Sequence, residues 1–260
     1  MPPALKDIRQ GIEKMSVITN QLISALPAKE RSRLVASCDE VDLEFADVLG
    51  DSGEQIRHVY FPLDAFVSLV TPIEQAAVLE VGMVGNEGMH GISLALGVNI
   101  WPLHSIVQRG GSALRMSAAA FIREHNRSLP LQRTLDHYVY VLMRQLAQSA
   151  VCTRFHVVEA RLARWLLMTQ DRAHSPTFDV THKVLALMLG VRRTGVSEAA
   201  NSLQKRNLIA YHRGRVTVLN RSSLKVVSCT CYSEDKRSYA QLFGNTPSYR
   251  NVDHAPTTRG

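Results

Sequence analysis

The sequence has no long hydrophobic run. No apolar stretch approaches the roughly 18 residues that a membrane-spanning helix needs. The N-terminus also lacks the charged and then apolar pattern of a secretory signal peptide. Together these two absences predict a cytoplasmic protein that does not bind a membrane.

Cysteine is scarce as well. The four cysteines, Cys38, Cys152, Cys229 and Cys231, do not have the spacing of a zinc ribbon, and a chain of 260 residues does not need disulfides to hold its core. The pattern predicts reduced thiols. Cys229 and Cys231 are expected in a terminal helix, where side chains two positions apart face different directions and do not easily form a disulfide. A redox role for this pair is the alternative.

Groups of residues typical of an enzyme are also missing. No Ser/His/Asp group, metal-binding cluster or pair of carboxylates stands out. The sequence therefore predicts no catalytic activity and no metal site.

Acidic residues are almost absent from one part of the chain. Residues 181–225 contain nine basic residues and one acid, Glu198, whereas residues 38–90 contain eleven acids and one base, Arg57. The formal net charge of +7 is therefore unevenly spread. This asymmetry indicates two modules with different partners, and the basic module is suited to a polyanion.

Residues 181–219 contain the pattern of two short helices and a hairpin. The first helix ends at Gly190, and the second has apolar residues at the spacing of one buried face, namely Val196, Ala199, Ala200 and Leu203. Two β-branched stretches then flank His212-Arg213-Gly214-Arg215, which is typical of a hairpin turn. The order predicts a helix-turn-helix followed by a wing. The alternative is a small helical domain with a solvated basic face.

A helix of this kind fits the major groove of duplex DNA, and cations on a neighbouring loop can reach phosphates. We predict base contacts from the polar face of the second helix: Arg193, Thr194, Ser197, Glu198 and Asn201. We predict phosphate contacts from the surrounding cations: Arg192, Lys205, Arg213 and Arg215.

The acidic front half has the periodicity of β-strands. Short alternating or β-branched stretches between Val41 and Val107 are separated by turns, which predicts an antiparallel sandwich or barrel. Its glycine-rich segment 82–91 allows backbone N–H groups to approach a phosphate. A candidate effector pocket therefore comprises Gly85, Glu87, Gly88 and His104. The alternative is a run of tight turns at a corner of the barrel.

From Leu131 onward an apolar stripe repeats at spacings of four and three. The stripe comprises Leu131, Leu135, Tyr138, Leu142 and Leu146, and it predicts a long helix that packs on the same helix of a second copy. The alternative is that the stripe packs only on the chain's own barrel. The predicted domain bounds are a leader at 1–18, a β module at 19–128, a dimerisation helix at 129–155, a winged helix at 156–228 and an extension at 229–260.

This arrangement resembles the Crp/Fnr family of bacterial transcription regulators from about residue 20 to 228. The most specific match is Leu189-Gly190-Val191-Arg192-Arg193-Thr194-Gly195-Val196-Ser197, which opens the recognition helix in the family. The resemblance implies a homodimer that binds double-stranded DNA and RNA polymerase, with an effector site in the β module. It also implies that Arg193 contacts guanine, whereas Glu198 stands where many members have a second base-reading arginine.

Two departures from the family bear on its known cofactors. The cyclic-nucleotide members hold the phosphate with an Arg-Ser or Arg-Thr pair, but this chain has Trp101-Pro102-Leu103-His104-Ser105 in that region. The iron–sulfur members need a cluster of N-terminal cysteines, and Cys38 alone cannot supply four thiolates. We therefore expect neither cAMP nor an iron–sulfur cluster to bind, and the effector is unknown.

The sequence thus predicts an α+β fold with an N-terminal antiparallel β jelly roll or barrel, a long dimerisation helix and a C-terminal winged helix-turn-helix. The predicted function is that of a homodimeric, sequence-specific DNA-binding regulator. The alternative is a small-molecule-binding module whose winged helix binds another protein.

Overall fold

A computed structural model describes residues 20–73 and 77–244. The leader predicted at 1–18 and residues 245–260 of the predicted extension lie outside the described residues. Within the described ranges, no helix has the length and apolar character needed to cross a membrane.

The N-terminal half is an antiparallel β module preceded by two short helices. The elements are α1 (Gln21–Ser24), α2 (Ala28–Val35), β1 (Asp39–Leu43), β2 (Val48–Gly50), β3 (His58–Pro62), β4 (Phe66–Ile73), β5 (Ala77–Val84), a 3₁₀ helix (Ile92–Leu96), β6 (His104–Arg109) and β7 (Gly111–Ser117). Strands β1, β7 and β3 form one sheet in that order, and β2, β6, β4 and β5 form the other. In β3, Val59 and Phe61 are fully buried while His58 and Tyr60 are half-buried, which is the alternation of a strand with one face in the core.

Two helices follow the β module. Helix α3 (Ala118–Arg127) leads to the predicted long helix, α4 (Leu129–Phe155), which contains 27 residues and is therefore about 40 Å long. The hydroxyl of Ser128 caps α4 by accepting from the backbone N–H of Leu131. His156 ends the helix in an extended conformation.

The C-terminal half is a small domain of helices and one three-stranded sheet. Its elements are α5 (Val158–Ala173), β8 (Thr177–Asp179), α6 (His182–Leu189), α7 (Arg193–Lys205), β9 (Ile209–His212), β10 (Arg215–Val218), α8 (Arg221–Val227) and α9 (Cys231–Phe243). The strands of the sheet lie in the order β8, β10 and β9. One apolar cluster contains residues of these helices together with Val70 and Met83 of the β module. The two halves therefore share a core, and the predicted fold class is confirmed.

The prediction that one face of α4 meets a second copy was wrong for three of the five residues of that face. Leu131, Leu135 and Tyr138 are at most 3% exposed because they pack into the core of their own β module. Leu142 and Leu146 are half-buried and line a cavity against the same module. The structure thus favours the alternative for this stripe, since any helix that covers a barrel has such periodicity.

A different face of α4 is apolar and exposed. Tyr140 is 53% exposed, Met143 64% and Val151 44%, and Ala147 lies between them with its side chain exposed. Their spacings of three, four and four place them on one side of the helix, opposite the face that packs on the barrel. We call these four residues the outer strip of α4.

Candidate nucleic-acid interface

Helices α6 and α7 form the predicted helix-turn-helix. The hydroxyl of Thr181 caps α6 by accepting from the N–H of Val184, and Gly190 ends the helix at a φ of 61°. A side chain at that φ would be strained, and an added Cβ would also lie 2.8 Å from Leu79 of the β module. Gly190 thus provides both the turn between the helices and their close approach to the sheet.

Helix α7 presents an exposed polar face. Its buried face comprises Val196, Ala199, Ala200 and Leu203, as the spacing predicts. Arg193, Thr194, Glu198 and Asn201 are exposed on the other side. Arg192 is the N-cap residue, and among the described residues no side chain bonds to the free N–H groups of the first turn. These N–H groups and the helix dipole therefore favour an anion at this end of α7.

Ser197 differs from the other predicted base-reading residues. It is half-buried, and its hydroxyl donates to the carbonyl of Arg193 (3.0 Å) and lies 2.9 Å from Nδ1 of His182. The imidazole of His182 in turn stacks on Tyr211 of β9, with 4.5 Å between the ring centroids. Ser197 therefore joins α7 to α6 and the sheet, and its contact with a base stays a prediction.

The predicted wing is the hairpin of β9 and β10. Its two-residue turn consists of Arg213 and Gly214, which have φ values of 49° and 83°. Positive φ at both central residues is typical of the turn whose twist matches that of a two-stranded hairpin. Val216 and Val218 are buried, and the exposed side chain of Arg213 lies at the tip.

The cations around α7 and the wing differ in their partners. Nε of Arg215 lies 2.9 Å from a carboxylate oxygen of Asp179, and this hydrogen bond holds the pKa of Asp179 below its usual value. The other predicted phosphate ligands, Arg192, Lys205 and Arg213, form no ion pair with any described residue, and neither does Arg193. The exposed face therefore carries uncompensated positive charge, while Arg215 is partly neutralised.

The family of this part of the chain follows from its sequence. Residues 160–227 match the family model of the Crp-like helix-turn-helix domain. The chain carries a Crp-like helix-turn-helix domain. No curated protein matches the chain.

Solved structures share most of the fold of this chain at low sequence identity. FixK2 from Bradyrhizobium japonicum has a TM-score of 0.64 and 13% identity, over 74% of this chain and 98% of FixK2. A Crp/Fnr family regulator from Eubacterium rectale has a TM-score of 0.62 and 12% identity, over 79% of this chain and 96% of its own. The c-di-GMP-responsive regulator CLP from Xanthomonas campestris has a TM-score of 0.61 and 14% identity, over 74% and 99%. The fold is that of Crp/Fnr-type DNA-binding transcription regulators.

The glycine corner does not bring Gly85, Glu87, Gly88 and His104 together into the one pocket predicted from sequence. A Cβ at Gly88 would collide with the ring of Tyr138, and one at Gly85 would lie 2.7 Å from Cγ of Arg172. The carboxylate of Glu87 forms an ion pair of 2.6 Å with Arg172 of α5. His104 instead pairs with Asp51, which follows β2 at the opposite edge of the same four-stranded sheet from β5. The glycines thus allow α4 and α5 to approach the corner, as in the alternative of tight turns.

A separate cavity of about 240 Å³ lies between the β module and α4. Its lining is mostly apolar and includes Leu69, Val84, Trp101, Leu142 and Leu146, and it contains no acidic or permanently charged side chain in the described part of the chain. His90 also lines it and stacks on Trp101, with 4.3 Å between the ring centroids. Burial lowers the pKa of His90 to about 3, so the ring is neutral.

Glu80 connects the β module to the Crp-like domain. Its carboxylate accepts hydrogen bonds from the hydroxyl of Ser68 and from Nε1 of Trp165 in α5, the latter at 2.9 Å. Burial nevertheless raises the pKa of Glu80 to about 7, because the two hydrogen bonds only partly offset the loss of water.

We expect the free energy of unfolding to fall as pH rises from about 4.5 to about 7, because Glu80 of the unfolded state loses its proton in this range. Between the ordinary pKa of 4.5 and about 7, the folded state holds a proton on Glu80 that the unfolded state has lost. The penalty is complete above pH 7, where Glu80→Gln is expected to raise the free energy of unfolding by about 3 kcal/mol. Urea unfolding of both proteins at pH 5 and pH 8 measures it. Equal differences at the two pH values would show that Glu80 does not titrate between them.

The cysteines are the residues that sequence reasoning misplaced. Cys229 lies in the turn before α9, whereas Cys231 is the first residue of that helix. The two cysteines are therefore not two positions apart on one helix, and both thiols lie close to Cys152 near the end of α4. His156 lies beside them. The spacings Cys-x₃-His and Cys-x-Cys are signals that could have directed attention to this group, although neither indicates that the two segments meet.

Proposed function

We propose that the protein is a homodimeric, sequence-specific DNA-binding transcription regulator. The observation that carries this proposal is the exposed polar face of α7, which combines a free helix N-terminus with cations that lack ion-pair partners among the described residues. A helix fits the major groove, and its first turn is where the helix-turn-helix class contacts base edges. The wing and the long helix α4 are proposed to supply the phosphate contacts and the dimer interface that such a regulator needs.

The two kinds of contact divide between the exposed residues. Arg193, Thr194, Glu198 and Asn201 project from α7 toward solvent and are proposed to contact bases, with Glu198 accepting from the amino group of cytosine. Arg192, Lys205 and Arg213 are proposed to contact phosphates. Arg215 is proposed to contribute less, since its guanidinium must be shared with Asp179.

The outer strip of α4 is proposed to form the dimer interface. Tyr140, Met143, Ala147 and Val151 form an apolar stripe on a helix whose opposite face is already buried, so the same stripe of a second copy can pack on it as in a coiled coil. Two recognition helices must lie about 34 Å apart to enter successive major grooves, and a two-fold axis along α4 supplies the second helix.

The apolar cavity supports an effector unlike a cyclic nucleotide. No described cation lines it, so a phosphate would be buried there without a counter-charge. We therefore propose that an effector of this cavity is small and mainly apolar. Contact with RNA polymerase is proposed from the family resemblance alone.

Selection of bound duplexes from a random pool, with the full chain at low salt, tests the proposal. We expect an enriched palindrome whose half-sites are one helical turn apart. The affinity for it should fall steeply with salt, with a logarithmic slope of about −0.9 for each phosphate contacted. Absence of enrichment, together with binding that salt does not weaken, would contradict it and favour a winged helix that binds protein.

A further inference from the structure

Four potential metal ligands from two distant parts of the chain lie close together between the end of α4 and the start of α9. Cys152 lies in the last turn of α4 and His156 at its C-cap, whereas Cys229 and Cys231 flank the turn between α8 and α9. The Sγ atoms and a ring nitrogen of His156 all lie within 4.8 Å of one another. The three cysteines are at most 7% exposed.

The distances between these atoms match the edges of a tetrahedral site. The Sγ atoms of Cys152 and Cys229 are 3.5 Å apart, and Sγ of Cys231 is 3.4 Å from Nδ1 of His156. Zinc bonds of about 2.3 Å to sulfur and about 2.0 Å to nitrogen give tetrahedral edges of roughly 3.5–3.8 Å. These two pairs of ligand atoms are therefore almost as far apart as a bound zinc ion would hold them, and the other pairs lie within 4.8 Å.

We propose that Cys152, His156, Cys229 and Cys231 bind one Zn²⁺ ion. Binding releases three thiol protons, and the neutral imidazole donates a lone pair from Nδ1, so the filled site carries a net charge of −1. Two arginines of α5, Arg161 and Arg164, line the same cavity as Cys152 and offset that charge, and Arg164 also pairs with Asp235 at 2.7 Å.

The surroundings of the thiols favour a metal over simple packing. The three cysteines form a small cluster of their own, against which Ala160 packs, and they are separate from the larger apolar cores of the described chain. Such a cluster buries little apolar surface. Nε2 of Gln148 also donates to Sγ of Cys231 at 3.0 Å, a hydrogen bond typical of the groups that orient a thiolate ligand.

The ion would be structural. Four protein ligands complete a tetrahedron and leave no position for water or substrate, which is typical of structural zinc sites. The ligands come from the end of α4 and from the segment after α8. The ion would therefore link the long helix α4 to the segment that follows the Crp-like domain. The binding of zinc stands independently of DNA binding, whereas any effect on operator affinity rests on the proposed function.

The metal content of the full chain, purified without chelator under reducing conditions, tests the site. We expect about one zinc ion per chain by plasma mass spectrometry, and titration of the metal-free protein with Co²⁺ should give thiolate-to-cobalt charge-transfer absorption. Cys229→Ser and His156→Gln should each lose most of the zinc. Gln148→Ala should bind it about 10-fold more weakly.

Cys38→Ser is the matched control, because the thiol of Cys38 donates to the carbonyl of Leu34 in α2, away from the cluster. It should keep its zinc. The proposal is overturned if the wild type neither contains zinc nor gives the cobalt spectrum, or if Cys38→Ser loses as much metal as Cys229→Ser. A Cys152–Cys229 disulfide in the reduced preparation, detected by its mass two hydrogens lower, would also overturn it.

The cobalt spectrum of the wild type does not depend on whether a substituted protein folds. It also distinguishes failure of the metal site from failure of the DNA-binding function. If the protein binds zinc but enriches no duplex, the metal site is supported and the proposed function is contradicted. If the protein is metal-free but selects a palindrome, the proposed function is supported and the metal site is contradicted.

Discussion

Replacement of Arg193 by alanine is expected to lower the affinity for the selected duplex by about 1–3 kcal/mol and to abolish the preference at one base pair of each half-site. Arg193 is exposed at the first turn of α7 and forms no ion pair with the described residues, so its guanidinium is free to donate two hydrogen bonds to the edge of a guanine. Because the side chain is not part of the core, the free energy of unfolding should change little.

Competition with duplexes that differ at single base pairs measures this loss of preference. Arg213→Ala is the matched control, since it also removes an exposed arginine but lies at the tip of the wing. It should lower the affinity for all duplexes equally. The slope of the logarithm of affinity against the logarithm of salt concentration should become shallower by about one unit for each protomer. If both variants lose affinity uniformly, Arg193 does not read a base.

Replacement of Met143 by glutamate is expected to convert the dimer to a monomer. Met143 is 64% exposed at the middle of the outer strip, and two symmetry-related copies of this position would bring two carboxylates into an apolar interface. A monomer engages one half-site only, so the affinity for the palindrome should fall by about 100-fold or more.

Sedimentation equilibrium and duplex titration measure the two effects. Leu96→Glu provides the control, because Leu96 is a similarly exposed apolar residue, at 61%, on the 3₁₀ helix of the β module. This variant should remain dimeric and bind normally. A dimeric Met143→Glu protein would contradict the assignment of the interface to the outer strip.

Local sequence patterns predicted the DNA-facing half of the molecule well. The buried face of α7 follows from the spacing of Val196 and Leu203, and the turn at Gly190 follows from the conformation that glycine permits. These features depend on residues close in sequence, so periodicity and turn chemistry are sufficient to find them.

Features that depend on distant residues could not be predicted in the same way. The stripe on α4 has the same spacing whether it covers a barrel or a second helix, and only the position of the β module shows that Leu135 belongs to the barrel. Ser197 was assigned to DNA because a helical wheel places it on the polar face, but His182 and Tyr211 approach that edge of the helix. The meeting of Cys152 with Cys229 spans 77 residues.

The position of α5 has a mechanical consequence. Its 16 residues form a rod about 24 Å long that contacts the glycine corner through Arg172 near one end and the sheet through Trp165 at its middle. Near the other end, Arg161 donates to the carbonyl of Leu189, just before the recognition helix. One continuous helix therefore connects the glycine corner, the sheet of the β module and the C-terminal end of α6 through three of its own side chains.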